Sequence, residues 1–305
     1  MHAVFVDGDA LSGEILHRLK KPDDLPIKIH LDPDVSPQAL PEVIGDAEIA
    51  IVDHTYFPTD VAKRCAKVKH VVFLGTGARS YMSIEELSEL GITVHTIKGY
   101  GDTAVAECAF ALMCEAARGL ARMDREMRHG NWLRTEGMQL TAKTLGLIGF
   151  GGIAAEMARL SSGIGMRVIA WNRSKKSAPN VMFVELKELL RDSHVVSLHL
   201  LLNDETRGFL SRGHFAQMRR GAILINTARG ALVDEAAMIE ALKSGHLRHA
   251  GLDVFAVEPL PDDNPLKALP NVTLSSHSAF RTPEASDNLI AAALDHCRRI
   301  VAERK

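Results

Sequence analysis

Residues 143–154, KTLGLIGFGGIA, lie near the middle of the 305-residue sequence and restrict its fold more than any other stretch. Residues 145–150 predict a short buried strand, Gly149 and Gly151 a tight turn, and Ala154 a helix running through Glu156, Met157 and Leu160. In such a unit the first glycine permits the sharp turn and the second lets a pyrophosphate approach the backbone. A small third residue, here Ala154, lets helix pack on strand. Free N–H groups and the positive dipole end of the helix would face the phosphates. Gly-x-Gly turns also occur in ordinary βα units, so on this stretch alone phosphate binding and plain packing are both open. The mid-chain position implies that the first hundred residues build something else.

Those residues alternate apolar runs at 3–6, 27–31, 49–52, 71–74 and 92–95 with helical spacing at 11–20, 36–44, 58–67 and 84–90. Strands buried on both faces and separated by helices predict a parallel α/β sheet. The fourth run ends in Gly75-Thr76-Gly77, a loop at a carboxyl end whose N–H groups suit a carboxylate or simply turn the chain. After the Gly99-Tyr100-Gly101 hinge, Asp102 predicts the cap of one long helix over 104–128. An irregular arm follows, with His129, Trp132 and Arg134, which packs on its own domain or reaches another subunit. Beyond the glycine turn, strands at 166–171, 194–200, 222–227, 250–255 and 272–275 alternate with helices at 184–190, 211–218 and 235–244 before a closing helix over 283–304. The expectation is a six-strand doubly wound sheet. The closing helix would lie back on the first domain and make it discontinuous.

A length of 305 residues and 46% hydrophobic content suit two ordinary cores. With 36 basic and 38 acidic residues well mixed and a net charge of −2, nothing suggests nucleic acid. Cysteines 65, 108, 114 and 297 have no metal-ligand or redox-motif spacing, so no metal is expected and reduced cytosolic thiols are. No signal-peptide pattern opens the chain and no apolar stretch approaches about 18 residues, so no membrane is expected and cytoplasm is the default.

An NAD site usually carries an acid about 20 residues beyond the glycines, on the ribose hydroxyls. Here the strand over 166–171 ends in Asn172-Arg173-Ser174-Lys175-Lys176. An acid would repel a 2′-phosphate, whereas Arg173 forms charge-assisted bonds to it and Asn172 and Ser174 add neutral ones. NADP(H) is therefore expected ahead of NAD(H); a solvated basic loop is the plain alternative.

Seven blocks in order carry a resemblance over nearly the whole length: 75–77 GTG, 102–107 DTAVAE, 145–153 LGLIGFGGI, 198–200 LHL, 225–230 INTARG, 252–259 LDVFAVEP and 276–279 SHSA. The sequence resembles the D-isomer-specific 2-hydroxyacid dehydrogenases. The resemblance implies a discontinuous flavodoxin-like substrate domain (1–99 and 277–305), a doubly wound NAD(P)-binding domain (100–276), an active site in the cleft between them and a homodimer. The family's catalytic Arg, Glu and His match Arg229, Glu258 and His277. Asp253 matches an acid that holds the nicotinamide amide. Further cofactor contacts are implied at Thr103, Phe150, Gly152, Ile153, Leu200, Leu201, Thr206, Thr227, Ala228 and Ala279, beside Gly149, Gly151 and the 172–174 run. Substrate contacts are implied at Gly75, Thr76, Gly77, Arg229 and His277.

Chemistry agrees with those positions. Reducing a 2-keto acid needs a cation for the carboxylate, a proton for the carbonyl oxygen and a hydride from nicotinamide. Arg229 has the fork for the first; His277 supplies the second, with Glu258 favouring imidazolium and fixing the tautomer. Outside the blocks, Arg229 would read as a surface ion-pair residue, Glu258 as a loop acid, and His277 as one of 14 histidines. His199, at a strand end, reads as packing. Residues 78–82 depart from the family pattern and put the first-domain wall in doubt, and Phe280 would narrow the pocket; Cys108 and Leu201 also depart but do not touch the chemistry directly, and Arg79 adds charge for a second anionic group or faces solvent. The expectation is an NADP-preferring reductase of glyoxylate and hydroxypyruvate to D-2-hydroxy acids. The alternatives are an NAD-using 3-phosphoglycerate-type dehydrogenase and a cofactor-sensing corepressor-like protein without turnover.

Overall fold

A computed structural model describes residues 1–303; Arg304, expected in the closing helix, lies outside them. The chain forms two compact units, one of Met1–Gly101 with the segment from Thr282, the other Asp102–Arg281. Residues 277–281 thus fall with the second unit, opposite to expectation. The reason is local: the N–H groups of His277, Ser278 and Ala279 all bond to Asp253 of that unit.

The first unit is a parallel sheet of β1 (Ala3–Phe5), β2 (Ile27–Ile29), β3 (Ile49–Val52), β4 (His70–Phe73) and β5 (Thr93–Thr96), in the order β2-β1-β3-β4-β5. All four residues of β3 are buried, because helices cover both faces. Those before the second unit are α1 (Ala10–Leu19), α2 (Leu40–Ile44), α3 (Thr59–Ala62) and α4 (Ile84–Glu89). The helix expected over 58–67 stops at Ala62, since the Arg64 and Cys65 N–H groups bond three residues back and tighten the turn. Buried Asp7, just after β1, accepts the N–H groups of Asp53, His54 and Thr55 and so ties the end of β1 to the end of β3.

The second unit opens with α5 (Asp102–Arg118) and α6 (Leu120–Arg128), not one helix. Gly119 separates them with φ +67, and the Thr135 hydroxyl donates to Arg118 O across the break. Asp102 begins α5 from inside its first turn. The arm is packed on this unit at Met138, whose N–H donates to Ala117 O, while Trp132 is 74% exposed. Seven parallel strands follow in the order β12-β11-β10-β9-β6-β7-β8. They are β6 (Thr144–Ile148), β7 (Arg167–Trp171), β8 (Val181–Phe183), β9 (Val195–Leu198), β10 (Ala222–Asn226), β11 (Leu247–Leu252) and β12 (Val272–Leu274). Six were expected; β8 is a three-residue edge strand, nowhere fully buried and with Met182 exposed, directly before the segment expected as a helix from 184. Around the sheet lie α5, α7 (Gly152–Gly163), α8 (Leu186–Asp192), α9 (Arg212–Gln217) and α10 (Glu235–Lys243). Apolar cores fill both faces, one with α5 and α7, the other with α8 to α10.

The closing helix α11 (Pro283–Ala302) belongs to the first unit. Leu289, Ile290, Ala293, Leu294, Cys297 and Ile300 recur at helical spacing and bury against Phe5, Ile51 and Val72. Arg298 grips the buried carboxylate of Asp24 with two bonds of 2.7 Å.

Candidate active site

In the second unit β6 sits between β7 and β9, so the strand order reverses there, and the glycine turn follows β6. Ligands of open α/β sheets bind at such a point, outside the carboxyl ends. Gly149, at φ +88, has no room for a Cβ, which would lie 2.6 Å from His199 O and 3.0 Å from the Leu200 side chain. Gly151 precedes α7 without a side-chain cap, and a Cβ on it would meet nothing within 4 Å. At Gly152 a Cβ would run into the Asp102 carboxylate, so glycine lets the start of α7 meet the start of α5. Burial, with the charge of Glu156, raises the Asp102 carboxyl above its ordinary range. Ile153 packs half-buried in the core and Phe150 stacks edge-on against Phe183. Thr103 is exposed on the first turn of α5.

The loop after β7 is tied to the glycine turn. Asn172 Oδ1 accepts the Phe150 N–H at 3.0 Å, and its amide donates to the Ser174 carbonyl and hydroxyl. Arg173 is drawn to Glu205 at 2.5 Å. The Thr206 hydroxyl donates to Leu201 O, closing the loop that leaves Leu201 exposed. The Thr227 hydroxyl is buried at the end of β10 and has no hydrogen-bond partner among the described residues. An uncapped helix start, an open Gly151 and that orphaned hydroxyl fit a dinucleotide.

Three loops converge at the ends of β10, β11 and β12. Buried Asn226 accepts the Ala228 N–H and donates to Arg229 O, which bends the chain so that Arg229 Nη1 reaches Ala228 O at 2.7 Å. At Gly230 a Cβ would lie 1.9 Å from the Phe255 carbonyl carbon, so two backbones touch there. Glu258 accepts the Phe255 N–H at 2.8 Å with one oxygen and faces His277 Nδ1 at 2.6 Å with the other. Burial alone would raise the Glu258 carboxyl. The bonds from His277 and Phe255 N–H, with the charges of His277 and Arg229, outweigh burial and hold it below its ordinary range. The carboxylate therefore accepts, and Nδ1 of His277 is the donor.

His277 itself stands at φ +50, a left-handed conformation uncommon outside glycine. Asp253 holds it there. Its carboxylate, 0% exposed, accepts the Ser275 hydroxyl and the N–H groups of Ser278 and Ala279, and its carbonyl accepts the His277 N–H. The structure thus gives Asp253 the task of building the histidine loop. Asn226, Gly230, Ser275 and Glu205 were not singled out in the sequence. Asn226 alone carried a signal, as a polar residue ending an apolar strand.

In the first unit the Gly75 N–H donates to Phe73 O and is spent within the loop; those of Thr76 and Gly77 make no backbone bond among the described residues. Arg79 pairs with Glu85 on α4, and His199 bonds Ser197 at 2.9 Å. The exposed Arg134 has no ion-pair partner among the described residues. Among the described residues no helix is long and apolar enough to cross a membrane.

Fold and loops together define a class, an α/β oxidoreductase that uses a nicotinamide dinucleotide. A family model described as D-isomer specific 2-hydroxyacid dehydrogenase, NAD binding domain, matches residues 110–279. A hydroxypyruvate reductase of Thermotoga maritima is 34% identical over 284 residues, 91% of each chain. A glyoxylate reductase of Aeropyrum pernix is 35% identical over 255 residues, 77% of this chain and 76% of that one. A crystal structure of the TT0316 protein from Thermus thermophilus superimposes with a TM-score of 0.90 at 32% identity, covering 99% of this chain and 97% of that one. The chain belongs to the D-isomer-specific 2-hydroxyacid dehydrogenase family, and is an NAD(P)-dependent oxidoreductase of small 2-keto or 2-hydroxy acids.

Proposed function

We propose that the protein is an NADP-preferring reductase of small 2-keto acids, glyoxylate and hydroxypyruvate foremost, giving D-2-hydroxy acids. The observation that carries this reading is the His277–Glu258 pair at 2.6 Å with the Arg229 charge beside it. When bound, the reduced nicotinamide supplies the hydride that C2 of the substrate accepts. His277 is tied through Nδ1 to Glu258, which leaves Nε2–H as the proton donor to the keto oxygen. Glu258 stays ionised and steadies the imidazolium before it gives up that proton. Arg229, braced through one nitrogen on Ala228 O, keeps its other N–H groups for the substrate carboxylate.

For the cofactor, the end of β7 carries no carboxylate; Asn172 already bonds the glycine turn, and Ser174 bonds Asn172. The Arg173–Glu205 pair is exposed on both sides, so it is worth little and a 2′-phosphate can replace Glu205 on the guanidinium. Exposed Leu120, Met127 and Trp132 on α6 and the arm suit a homodimer, and four free cysteines suit the reducing cytoplasm.

The test is loss of NADPH absorbance against a panel of 2-keto acids, with NADH in parallel and light scattering for the dimer. No turnover on any acid, or equal rates with NADH, refutes the corresponding part. His277→Gln should lower kcat by about 10²–10⁴-fold with little change in KM, whereas Arg229→Ala should raise KM as well. Native-like turnover in either variant overturns that role.

A further inference from the structure

We propose that the second unit carries another binding site, for a small anion dense in phosphate groups, at the amino ends of its strands. Lys143, just before β6, His194 before β9, Arg219 and Arg220 before β10, and Arg248 in β11 line an open hollow of about 410 Å³, with Gln139 of the arm on its wall. No aspartate or glutamate lines it. The glycine turn is at the other end of β6, about 16 Å away at the usual strand rise.

These cations are gathered on one hollow and none of them is drawn into an ion pair among the described residues. Several exposed arginines elsewhere are matched, among them Arg18 with Asp287, Arg128 with Asp124, Arg191 with Asp192, and Arg212 with Glu240. Among the described residues, Lys143, Arg219, Arg220 and Arg248 have no carboxylate within 4.0 Å. The nearby acid, Asp192, is held by Arg191, and its carboxyl lies below the ordinary range chiefly through that bond, with Arg167 and Arg219 adding to it. In a chain of net charge −2, such a collection is not what average composition supplies.

The site is also built rather than loose. Arg248 is anchored by a bond to Glu136 O of the arm, and Arg167, outside the lining, is bonded to the Thr144 hydroxyl. His194 Nδ1 accepts the Thr144 N–H at 3.2 Å, which leaves Nε2–H as a further donor. Burial lowers the His194 pKa, and the charges of Arg219, Lys143 and Arg167 lower it further, so these cations bear on one point.

Guanidinium forks match phosphate oxygens two at a time, and several around one hollow favour a multiply charged anion over a monocarboxylate. No Phe, Tyr or Trp lines the hollow and guanidinium groups dominate it, so the lining favours phosphate groups over a nucleobase. The ligand class is therefore an oligophosphate or a small phosphorylated metabolite, with inorganic pyrophosphate as the simplest probe.

The native chain is titrated with pyrophosphate by calorimetry, and bound sites are located by hydrogen exchange. The expected result is one pyrophosphate per chain here, weakened about tenfold or more between roughly 50 and 500 mM salt. Amide protection should appear at residues 137–144 and 219–222. Arg219→Gln with Arg248→Gln should weaken binding about thirtyfold while leaving the unfolding temperature unchanged. Absence of binding at millimolar probe, protection confined to 149–153, or unchanged affinity in the double variant overturns the proposal. If that variant fails to fold, the exchange pattern of the native chain decides alone.

Discussion

Gly230→Ala tests whether the loops bearing Arg229 and Glu258 are held by direct backbone contact. The new Cβ would stand 1.9 Å from the Phe255 carbonyl carbon, 2.1 Å from its oxygen and 2.4 Å from Ala256 N. Carbon atoms rest about 3.5 Å apart, so one loop must retreat by roughly 1.5 Å. Every colliding atom is main chain, and no rotamer change relieves the clash. Overpacking of this kind costs about 1–3 kcal/mol. For a unit of this size that corresponds to a fall of roughly 2–12 °C in Tm. Because Arg229 adjoins the substituted residue and Phe255 N–H bonds Glu258, the retreat separates the guanidinium from the His277–Glu258 pair. A displacement of about 1 Å costs on the order of 10²-fold in kcat/KM. Calorimetry and steady-state kinetics on the 2-keto acid panel read the two effects. Gly163→Ala is the control: its Cβ meets nothing within 4 Å, and ending α7 with alanine should be neutral or mildly stabilising. If Gly230→Ala melts and turns over like the native chain, the loops are not in register through this contact and the account of the site is wrong.

Asn172→Asp with Arg173→Ala should move the ratio of kcat/KM for NADPH over NADH toward NADH; a ratio that stays put removes the NADP assignment. Arg298→Met leaves the Asp24 carboxylate buried without its partner, and denaturant unfolding should show a loss of about 1–3 kcal/mol, discounted for the partial exposure of Arg298. Replacing Asp24 by Asn as well should recover part of that loss; no loss in the single variant would mean the pair is idle. His54 is raised from 6.5 to about 9, first by its bond to Asp53 and then, against burial, by the charges of Asp53 and Asp7. Its protonated form therefore stabilises the fold fully below pH 6.5, and that contribution fades as pH rises through about 9. The Tm difference between the native chain and His54→Asn should follow that course; a difference independent of pH would refute it.

The parallel sheets were legible because β3 and β10 are buried at every residue, leaving unbroken apolar runs in the sequence. The edge strand β8 has only three residues, none fully buried, and its apolar stretch runs into the segment expected as a helix from 184, which is why the count came out one short. Gly119 lies inside the stretch expected as one helix; its left-handed backbone and the return of Thr135 onto Arg118 O make it a break. Arg229, Glu258 and His277 could be named from ordered blocks of sequence. Their support could not, because it runs through backbone groups: Asp253 acts on N–H donors, and Gly230 on a carbonyl that no residue letter announces. Arg173 was legible as a cation, but Glu205, 32 residues on, was not legible as its partner.

The interrupted first unit bears on how a ribosome would deliver this protein. All of residues 102–281 emerge before α11 does, so the seven-stranded sheet can close its cores while the five-stranded one still lacks a layer. Until Leu289, Ile290 and Leu294 arrive, Phe5, Ile51 and Val72 present an uncovered apolar face. The earliest strands to be synthesised are thus among the last to be sealed, and it is this face that a chaperone would have to shield.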